Sequence, residues 1–169
     1  MLNLKVLVAY STRTNNTKII AEAIYGEIEF KKEIRKIEEL DNLDGYELIF
    51  FGFPIESYGP NQEVKDFLKE HSANKKIALF ITHGSPEYSD FLAPWLEESK
   101  KCLDGSTELL GLFNCQGDVA QFVIDSMSKS DSPTLRYFAQ ESSKIKGQPD
   151  ETRINKAKDF ANEILNKVI

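Results

Sequence analysis

A cluster of short polar side chains near the N-terminus is the first candidate for chemistry. It follows the apolar run Leu4 to Tyr10, precedes a helical pattern, and consists of Ser11, Thr12, Arg13, Thr14, Asn15, Asn16 and Thr17. A helix N-terminus offers unpaired backbone N–H groups and the positive end of a dipole, and both attract anions. One or two such residues would be an ordinary helix cap. The longer cluster, rich in hydroxyl and amide donors, indicates a phosphate site.

The same cluster excludes two common phosphate-binding loops. A dinucleotide-binding loop would show G-x-G-x-x-G, and a nucleoside triphosphatase would show G-x-x-x-x-G-K followed by Ser or Thr. Residues 11–17 contain neither glycine nor lysine. The sequence therefore predicts a phosphate held mainly by neutral donors. Arg13, the one charged residue, is expected to contribute its backbone rather than its guanidinium.

Alternating strands and helices must position this loop. Apolar runs predict strands at 4–10, 47–53, 75–82 and 107–115. A weaker, edge-like strand is predicted at 30–37. Helical spacing predicts helices at 16–29, 61–71, 91–103 and 151–169. This order favours a parallel sheet with right-handed crossovers and helices on both faces. Ligands of such sheets bind outside the carboxyl ends of the strands. The loops that follow Tyr10, Phe53, Thr82 and Cys115 are therefore the functional candidates.

The stretch TRTNNT, Thr12 to Thr17, resembles the phosphate loop of flavodoxins, in which Ser or Thr alternates with any residue before Gly-Asn-Thr. Asn15 replaces the glycine of that pattern. Asn tolerates a left-handed backbone better than other non-glycine residues, so we predict a positive φ at Asn15. LIFFGFPIESYGPNQEVKDFL and FITHGSPEYSDF are similar to the second and third flavin loops, and GLFNCQGD to the last strand of such proteins.

The resemblance implies a flavodoxin-like three-layer α/β sandwich with a five-stranded parallel sheet of order 2-1-3-4-5. It implies one domain over residues 1–169, with an extended connection at about 116–151 before the closing helix. It also implies FMN as cofactor, with the phosphate on Thr12 to Thr17 and the isoalloxazine between the second and third loops. No catalytic residue and no metal ligand is predicted.

The loops after the first one supply the remaining cofactor contacts that the resemblance implies. They are Pro54, Ile55, Glu56, Ser57, Tyr58, Gly59, Thr82, His83, Gly84, Ser85, Tyr88, Gln116 and Gly117. Tyr58 and Tyr88 could stack on the flavin ring, or could simply cover the edge of the core. The Tyr58–Gly59 peptide is the one expected to turn on flavin reduction. His83 could donate to the flavin carbonyls or could position its loop.

Composition limits the partners. The formal net charge of -6 argues against binding to nucleic acid or an anionic membrane. The longest mostly apolar stretch, residues 48–55, is far shorter than a membrane span. Cys102 and Cys115 are the only cysteines and cannot build a metal site alone. With no secretion signal, we expect a cytoplasmic protein with reduced thiols, as a monomer or a homodimer.

Three functions agree with these observations. The first is an electron-transfer protein that passes electrons between unidentified redox partner proteins. The second is an NAD(P)H-dependent FMN or quinone reductase, because residues 116–151 form an unusually long connection that could wall a substrate pocket or pack a second subunit. The third is a non-redox binding module, since a fold does not fix a function. Whether the protein is an enzyme stays open at this point, with the electron carrier favoured.

Overall fold

A five-stranded parallel sheet forms the centre of the protein in a computed structural model that describes residues 3–169. Its strands are β1 (Lys5–Tyr10), β2 (Lys31–Lys36), β3 (Leu48–Pro54), β4 (Lys76–His83) and β5 (Glu108–Gln116). They are arranged in the order β2-β1-β3-β4-β5. The predicted order 2-1-3-4-5 is confirmed. The point where the strand order reverses, between β1 and β3, is where ligands of such sheets bind.

Among residues 3–169, four helices lie where the periodicity predicted them, and two more lie within the connection at 116–151. They are α1 (Asn16–Glu27), α2 (Gln62–His71), α3 (Leu92–Lys100), α4 (Gln121–Ser128), α5 (Pro133–Ser143) and α6 (Glu151–Val168). Helix α3 ends before the predicted Leu103, because the N–H groups of Cys102 and Leu103 bond carbonyls three residues back, which closes turns instead of continuing the α-helix. Within residues 3–169, no helix is long and apolar enough to cross a membrane.

Alternation along the central strands creates two cores, one on each face of the sheet. Val6 and Val8 of β1 are fully buried against the layer that contains α1 and α6. Leu7 and Ala9 face the opposite layer, which α2 contributes to through Leu68. A strand buried on both faces must be almost continuously apolar, which explains the sequence of β1.

Helices α4 and α5, called the roof helices below, lie beside the carboxyl ends of the strands. The buried Ser142 of α5 donates a hydrogen bond to the Gly84 carbonyl after β4, at 2.8 Å. A Cβ atom at Gly84 would lie 2.5 Å from Val119 Cγ2. The connection that leads to α4 thus packs directly on the backbone of the β4 loop, and only glycine permits that approach.

Candidate cofactor site

The β1 loop, residues 11–17, adopts the conformation that an anion site needs. Asn15 has φ 68° and ψ -2°, so the predicted positive φ is confirmed. This left-handed residue ends the loop, and α1 begins at Asn16 with neither a side-chain cap nor an acidic residue in its first turn. The Ser11 N–H donates to the Gly52 carbonyl of β3 at 2.9 Å, which fixes the start of the loop. The N-terminus of α1 is therefore left open to an anion.

Two threonine hydroxyls add polarity inside the loop. Thr12 Oγ1 is buried and has no hydrogen-bond partner among residues 3–169. Thr17 is 1% exposed, and its Oγ1 lies 2.8 Å from Thr82 Oγ1 of β4, so the two share one hydrogen bond. A buried hydroxyl without a partner costs about 1–3 kcal/mol. An external acceptor is the group that would satisfy Thr12.

Asn16 connects the β1 loop to the β5 loop. Its Nδ2 donates to the Asp118 carbonyl at 2.9 Å, so the side-chain amide is already engaged. A Cβ atom at Gly117 would lie 2.6 Å from the same Nδ2, and the Gly117 N–H donates to the His83 carbonyl at 2.8 Å. Gly117 is thus a close-approach position, and the backbone of Asn16, rather than its side chain, remains for an anion.

Arg13 points toward the second loop. Its Nε lies 2.5 Å from Glu56 Oε1, while Asn61 Nδ2 donates to Glu56 Oε2 at 2.7 Å. This pairing agrees with the expectation that the guanidinium does not serve the phosphate. It also neutralises Glu56, which the sequence predicted as a cofactor contact.

The second loop is a tight turn with unusual backbone angles. The Glu56 N–H donates to the Gly59 carbonyl at 2.7 Å, and the Gly59 N–H donates to the Glu56 carbonyl at 3.3 Å. The central residues Ser57 and Tyr58 have φ of 51° and 72°. Such paired positive φ angles normally require Asn or Gly, so this turn stores strain. Turning of the Tyr58–Gly59 peptide would break the longer of the two bonds and stays a prediction.

His83 lies at the end of β4 and is 3% exposed. Its Nε2 lies 3.0 Å from Asn114 Oδ1, and its buried Nδ1 has no partner among the described residues. Burial lowers the pKa of His83 from its usual value, despite the hydrogen bond to Asn114. The imidazole is therefore neutral near pH 7, and it lies against the Ser85 backbone.

Gln116 is occupied by the third loop rather than open to a ligand. The Gln116 N–H donates to Glu87 Oε1 at 3.3 Å, and Glu87 also accepts from Arg153 Nη2 at 3.1 Å. Burial, the largest single effect, would raise the pKa of Glu87, but the hydrogen bonds from Arg153 and the Gln116 backbone, together with the charges of Arg153 and Lys156, outweigh it, and the pKa lies below its usual value. Glu87 therefore fastens the third loop to α6. Arg153 was not predicted as part of the site, because it is remote from the loops along the chain.

A cavity of about 510 Å³ lies where these loops meet. We call it the flavin cavity. Predicted site residues that line it are Arg13, Thr14, Asn16, Pro54, Ile55, Glu56, Thr82, His83 and Gly84. Asp118 also lines it, and the sequence did not predict the other lining residues just before and within α4, namely Val119, Ala120, Phe122 and Val123. Its volume falls within the range of about 300–1,000 Å³ typical of small-molecule and cofactor pockets.

The two candidate stacking tyrosines occupy different places. Tyr88 is 73% exposed and lies outside the residues that line the flavin cavity. Tyr58 is 55% exposed and lies with its ring centroid 6.1 Å from that of Trp95 and 6.3 Å from that of Phe138. Ser85 is buried and, with Ser57 and Tyr58, lines a second cavity next to the first.

The donor set fits a phosphate ester attached to a flat, largely apolar group. The β1 loop supplies the uncapped N-terminus of α1 and the unpaired Thr12 hydroxyl. The end of β3 and the loop after it supply apolar walls, Pro54 and Ile55, to the flavin cavity. Together with the strand order, this arrangement defines a protein of the flavodoxin fold class.

Comparison with known proteins supports this assignment to the flavodoxin fold class. A family model of the flavodoxin domain matches residues 7–162, and the chain belongs to this family. The flavodoxin-like domain-containing protein BilS of Clostridioides difficile (strain CD3) is 32% identical over 173 residues, which cover 97% of this chain and 98% of BilS.

Solved structures extend the comparison of the fold. A flavodoxin from the domain Archaea superposes with a TM-score of 0.60 at 18% identity, covering 98% of this chain and 99% of that one. A flavoprotein from Lactobacillus acidophilus NCFM, solved in complex with FMN, gives a TM-score of 0.50 at 20% identity, covering 67% of this chain and 93% of the other. At these identities the likeness shows the fold.

Proposed function

We propose that this protein binds FMN in the flavin cavity and acts as an electron carrier between redox partner proteins. The observation that carries the proposal is the open N-terminus of α1, preceded by left-handed Asn15 and by the buried, unpaired hydroxyl of Thr12. This is a site for a dianionic phosphate held by neutral donors. Membership of the flavodoxin family and the FMN complex of the Lactobacillus flavoprotein support FMN as the ligand.

In this proposal each loop has its own task. The backbone N–H groups at the start of α1 and the Thr12 hydroxyl would bind the phosphate. Pro54 and Ile55 would face the flavin from the β3 side, and neutral His83 would border it from the β4 side. Bound FMN would supply the redox chemistry, because it accepts and releases electrons one or two at a time. The protein would orient the flavin and exclude water from it.

Titration with FMN and with riboflavin tests the phosphate assignment. The two flavins share the ring and differ in the phosphate, so we expect FMN to bind at least about 100-fold more tightly, as two charge-assisted hydrogen bonds would give. Replacing both Thr12 and Thr17 by Ala should weaken FMN strongly and leave riboflavin almost unchanged. Equal affinity for the two flavins would refute a phosphate site in the β1 loop.

The second candidate, an NAD(P)H-dependent reductase, is favoured by the roof helices, which cover part of the cavity with Val123 and Phe122. The visible spectrum of the FMN-bound protein separates the two functions. Rapid bleaching by NADH or NADPH alone would indicate the reductase. We expect no such bleaching, together with two separated one-electron steps during stepwise photoreduction, as in a carrier.

A further inference from the structure

Residues 118–148, which contain both roof helices, leave the body of the protein and return to it at one point. We call them the roof segment. The Asp118 N–H donates to the Gln148 carbonyl at 2.7 Å, and the Gly147 N–H donates to Asp118 Oδ2 at 3.2 Å. These two hydrogen bonds, called the clasp below, join the start of the roof segment to its end. A segment whose ends are joined can rotate about that point without displacing the strands on either side.

The roof segment holds itself together as a helical hairpin. Residues 129–132 connect α4 to α5, and Arg136 Nη1 donates across this connection to the Ser130 carbonyl at 2.8 Å. Ile124 of α4 and Ala139 of α5 are 4% and 2% exposed, and both line a groove between the two helices. The two helices therefore have buried contacts of their own, which is what a unit needs in order to move as one body.

The roof helices are attached to the body by one hydrogen bond and one group of rings. Ser142 Oγ donates to the Gly84 carbonyl at 2.8 Å, and among residues 3–169 no other hydrogen bond joins α4 or α5 to the body. The Phe138 ring lies 5.1–6.3 Å, between centroids, from three rings of the body, namely Phe91, Trp95 and Tyr58. Tyr137 adds a contact with Phe91 at 5.8 Å. Breaking these few contacts costs far less free energy than unfolding the chain.

Two cavities separate much of the roof segment from the body. The flavin cavity and the second cavity, of about 510 and 360 Å³, each have walls from both sides. Val119 and Val123 of the roof segment line both cavities, as do Ile55 and Gly84 of the body. A cavity between two apolar surfaces removes direct contacts between them. The roof segment therefore covers the flavin cavity while being packed on the body only at its base and around Phe138.

We propose that the roof segment is a lid, which rotates as one unit about the clasp and admits the flavin to its cavity. Opening breaks the Phe138 contacts and the Ser142 hydrogen bond, and the structure shows the closed position. Lid motions of this kind occur in microseconds to milliseconds. Passage of a flavin under the lid rests on the proposed function. Opening itself does not, because the clasp, the hairpin and the contacts of Phe138 belong to the chain alone.

Relaxation-dispersion NMR of the FMN-free protein measures the opening directly. Trp95 is the only tryptophan of the chain, so its indole N–H gives a single resonance on the body side of the Phe138 contact. We expect exchange with one common rate at this indole and at the methyl groups of Val123 and Leu135, which line the second cavity from the roof. Ile124 should show no exchange, because a rigid unit keeps its internal contacts.

Stopped-flow fluorescence with FMN and with riboflavin measures passage under the lid. Phe138→Ala removes the central ring, so the open fraction should rise about 10-fold, the worth of one or two aromatic pairs. Association and dissociation of both flavins should then become about 10-fold faster together. Their dissociation constants should change by less than about threefold, because the lid is closed both with and without the flavin and is weakened equally in the two states.

Two further variants complete the comparison. Phe138→Leu keeps most of the volume but loses the ring contacts, so it should show a smaller increase in the same rates, and it replaces the Ala variant if that one does not fold. Gln140→Ala is the matched control, because Gln140 is exposed on α5 and lines the groove between the roof helices instead of either cavity. Its rates should stay within about twofold of those of the original protein.

Absence of exchange at Trp95 in both the original protein and the Phe138 variants would overturn the proposal. So would equal exchange at Ile124, because the segment would then unfold instead of rotating. Faster dissociation with an unchanged association rate would also overturn it, since Phe138 would then be a contact of the flavin. Failure of the proposed function has a different signature. In that case neither flavin binds, while Trp95 and the roof methyl groups still exchange in the FMN-free protein.

Discussion

The β1 loop and the roof helices both border the flavin cavity, but they are built in opposite ways. The β1 loop consists of short polar residues whose backbone is fixed by left-handed Asn15 and whose buried Thr12 hydroxyl lacks a partner. The roof helices present apolar side chains such as Val123, and the Ser142 hydrogen bond fastens them to the β4 loop. The loop is therefore organised for a ligand at some expense of stability, whereas the roof is organised to hold a shape.

Thr12→Ala should show the largest effect, on ligand affinity alone. Loss of one charge-assisted hydrogen bond, about 1.5–3 kcal/mol, predicts FMN binding roughly 10- to 100-fold weaker, measured by fluorescence titration. Thr12→Ser keeps the hydroxyl and should stay close to the original affinity. In the FMN-free protein the free energy of unfolding should hardly fall, because the removed hydroxyl has no partner. A large loss of stability in that form would show that the loop is not built for a ligand.

Glu87→Gln should have the next largest effect, on stability alone. The Glu87 carboxylate accepts hydrogen bonds from Arg153 and from the Gln116 N–H. Removing it should therefore lower the free energy of unfolding at pH 7 by about 1–2 kcal/mol. The pKa of Glu87 is lowered in the folded state, so the ionised carboxylate stabilises the fold. This contribution to the free energy of unfolding is complete above the unfolded pKa of about 4.3 and is lost as the pH falls through the folded pKa. Urea unfolding between pH 7 and pH 3 should show the two proteins converging in acid. A constant difference over that range would rule out this linkage.

Ser142→Ala should weaken the fastening of the roof by about 1 kcal/mol, since the bond to Gly84 is neutral and buried. The measurement is amide hydrogen exchange, which should speed up in residues 121–143 and leave β1 and α1 unchanged. Ser143→Ala is the control, because that hydroxyl bonds only the Ala139 carbonyl within α5. Uniformly faster exchange over the whole chain would mean that roof and loop are not separate in stability.

Asn15 offers the smallest and most local test. With φ at 68°, Asn15→Gly should be neutral or slightly stabilising, and Asn15→Ala should cost about 1 kcal/mol, because only the latter adds strain in the left-handed region. Thermal unfolding of the two variants measures the difference. Equal stabilities would mean that the loop can relax to another backbone conformation, in which case its shape does not depend on this residue.

The contrast also explains how much of the molecule could be predicted from sequence. The five strands and the conformation of Asn15 follow from local signals, namely continuous apolar runs, helical spacing and the tolerance of Asn for a positive φ. Resemblance to a family with this loop supplied the strand order. Local patterns are short in range, so they identify elements but not the contacts between distant ones.

Contacts between distant residues were therefore missed. Arg153 reaches Glu87 across 66 positions, and Ser142 reaches Gly84 across 58. Residues 116–151 were predicted as an extended connection, and nothing local shows which faces of α4 and α5 turn toward a cavity. For the same reason Tyr58 and Tyr88 were equivalent in sequence, although Tyr58 lines the second cavity and Tyr88 lines neither cavity.

The unpaired hydroxyl of Thr12 has a consequence for the lifetime of the protein. A ligand that binds only the folded chain adds about 2.7 kcal/mol of stability when its free concentration is 100 times its dissociation constant. On the proposed function, chains that have not yet acquired FMN would unfold more often, with a buried donor still unsatisfied, and proteases would remove them first. The supply of flavin would then set the abundance of the protein as well as its colour, and a pulse-chase comparison in flavin-limited and flavin-replete cells would measure that dependence.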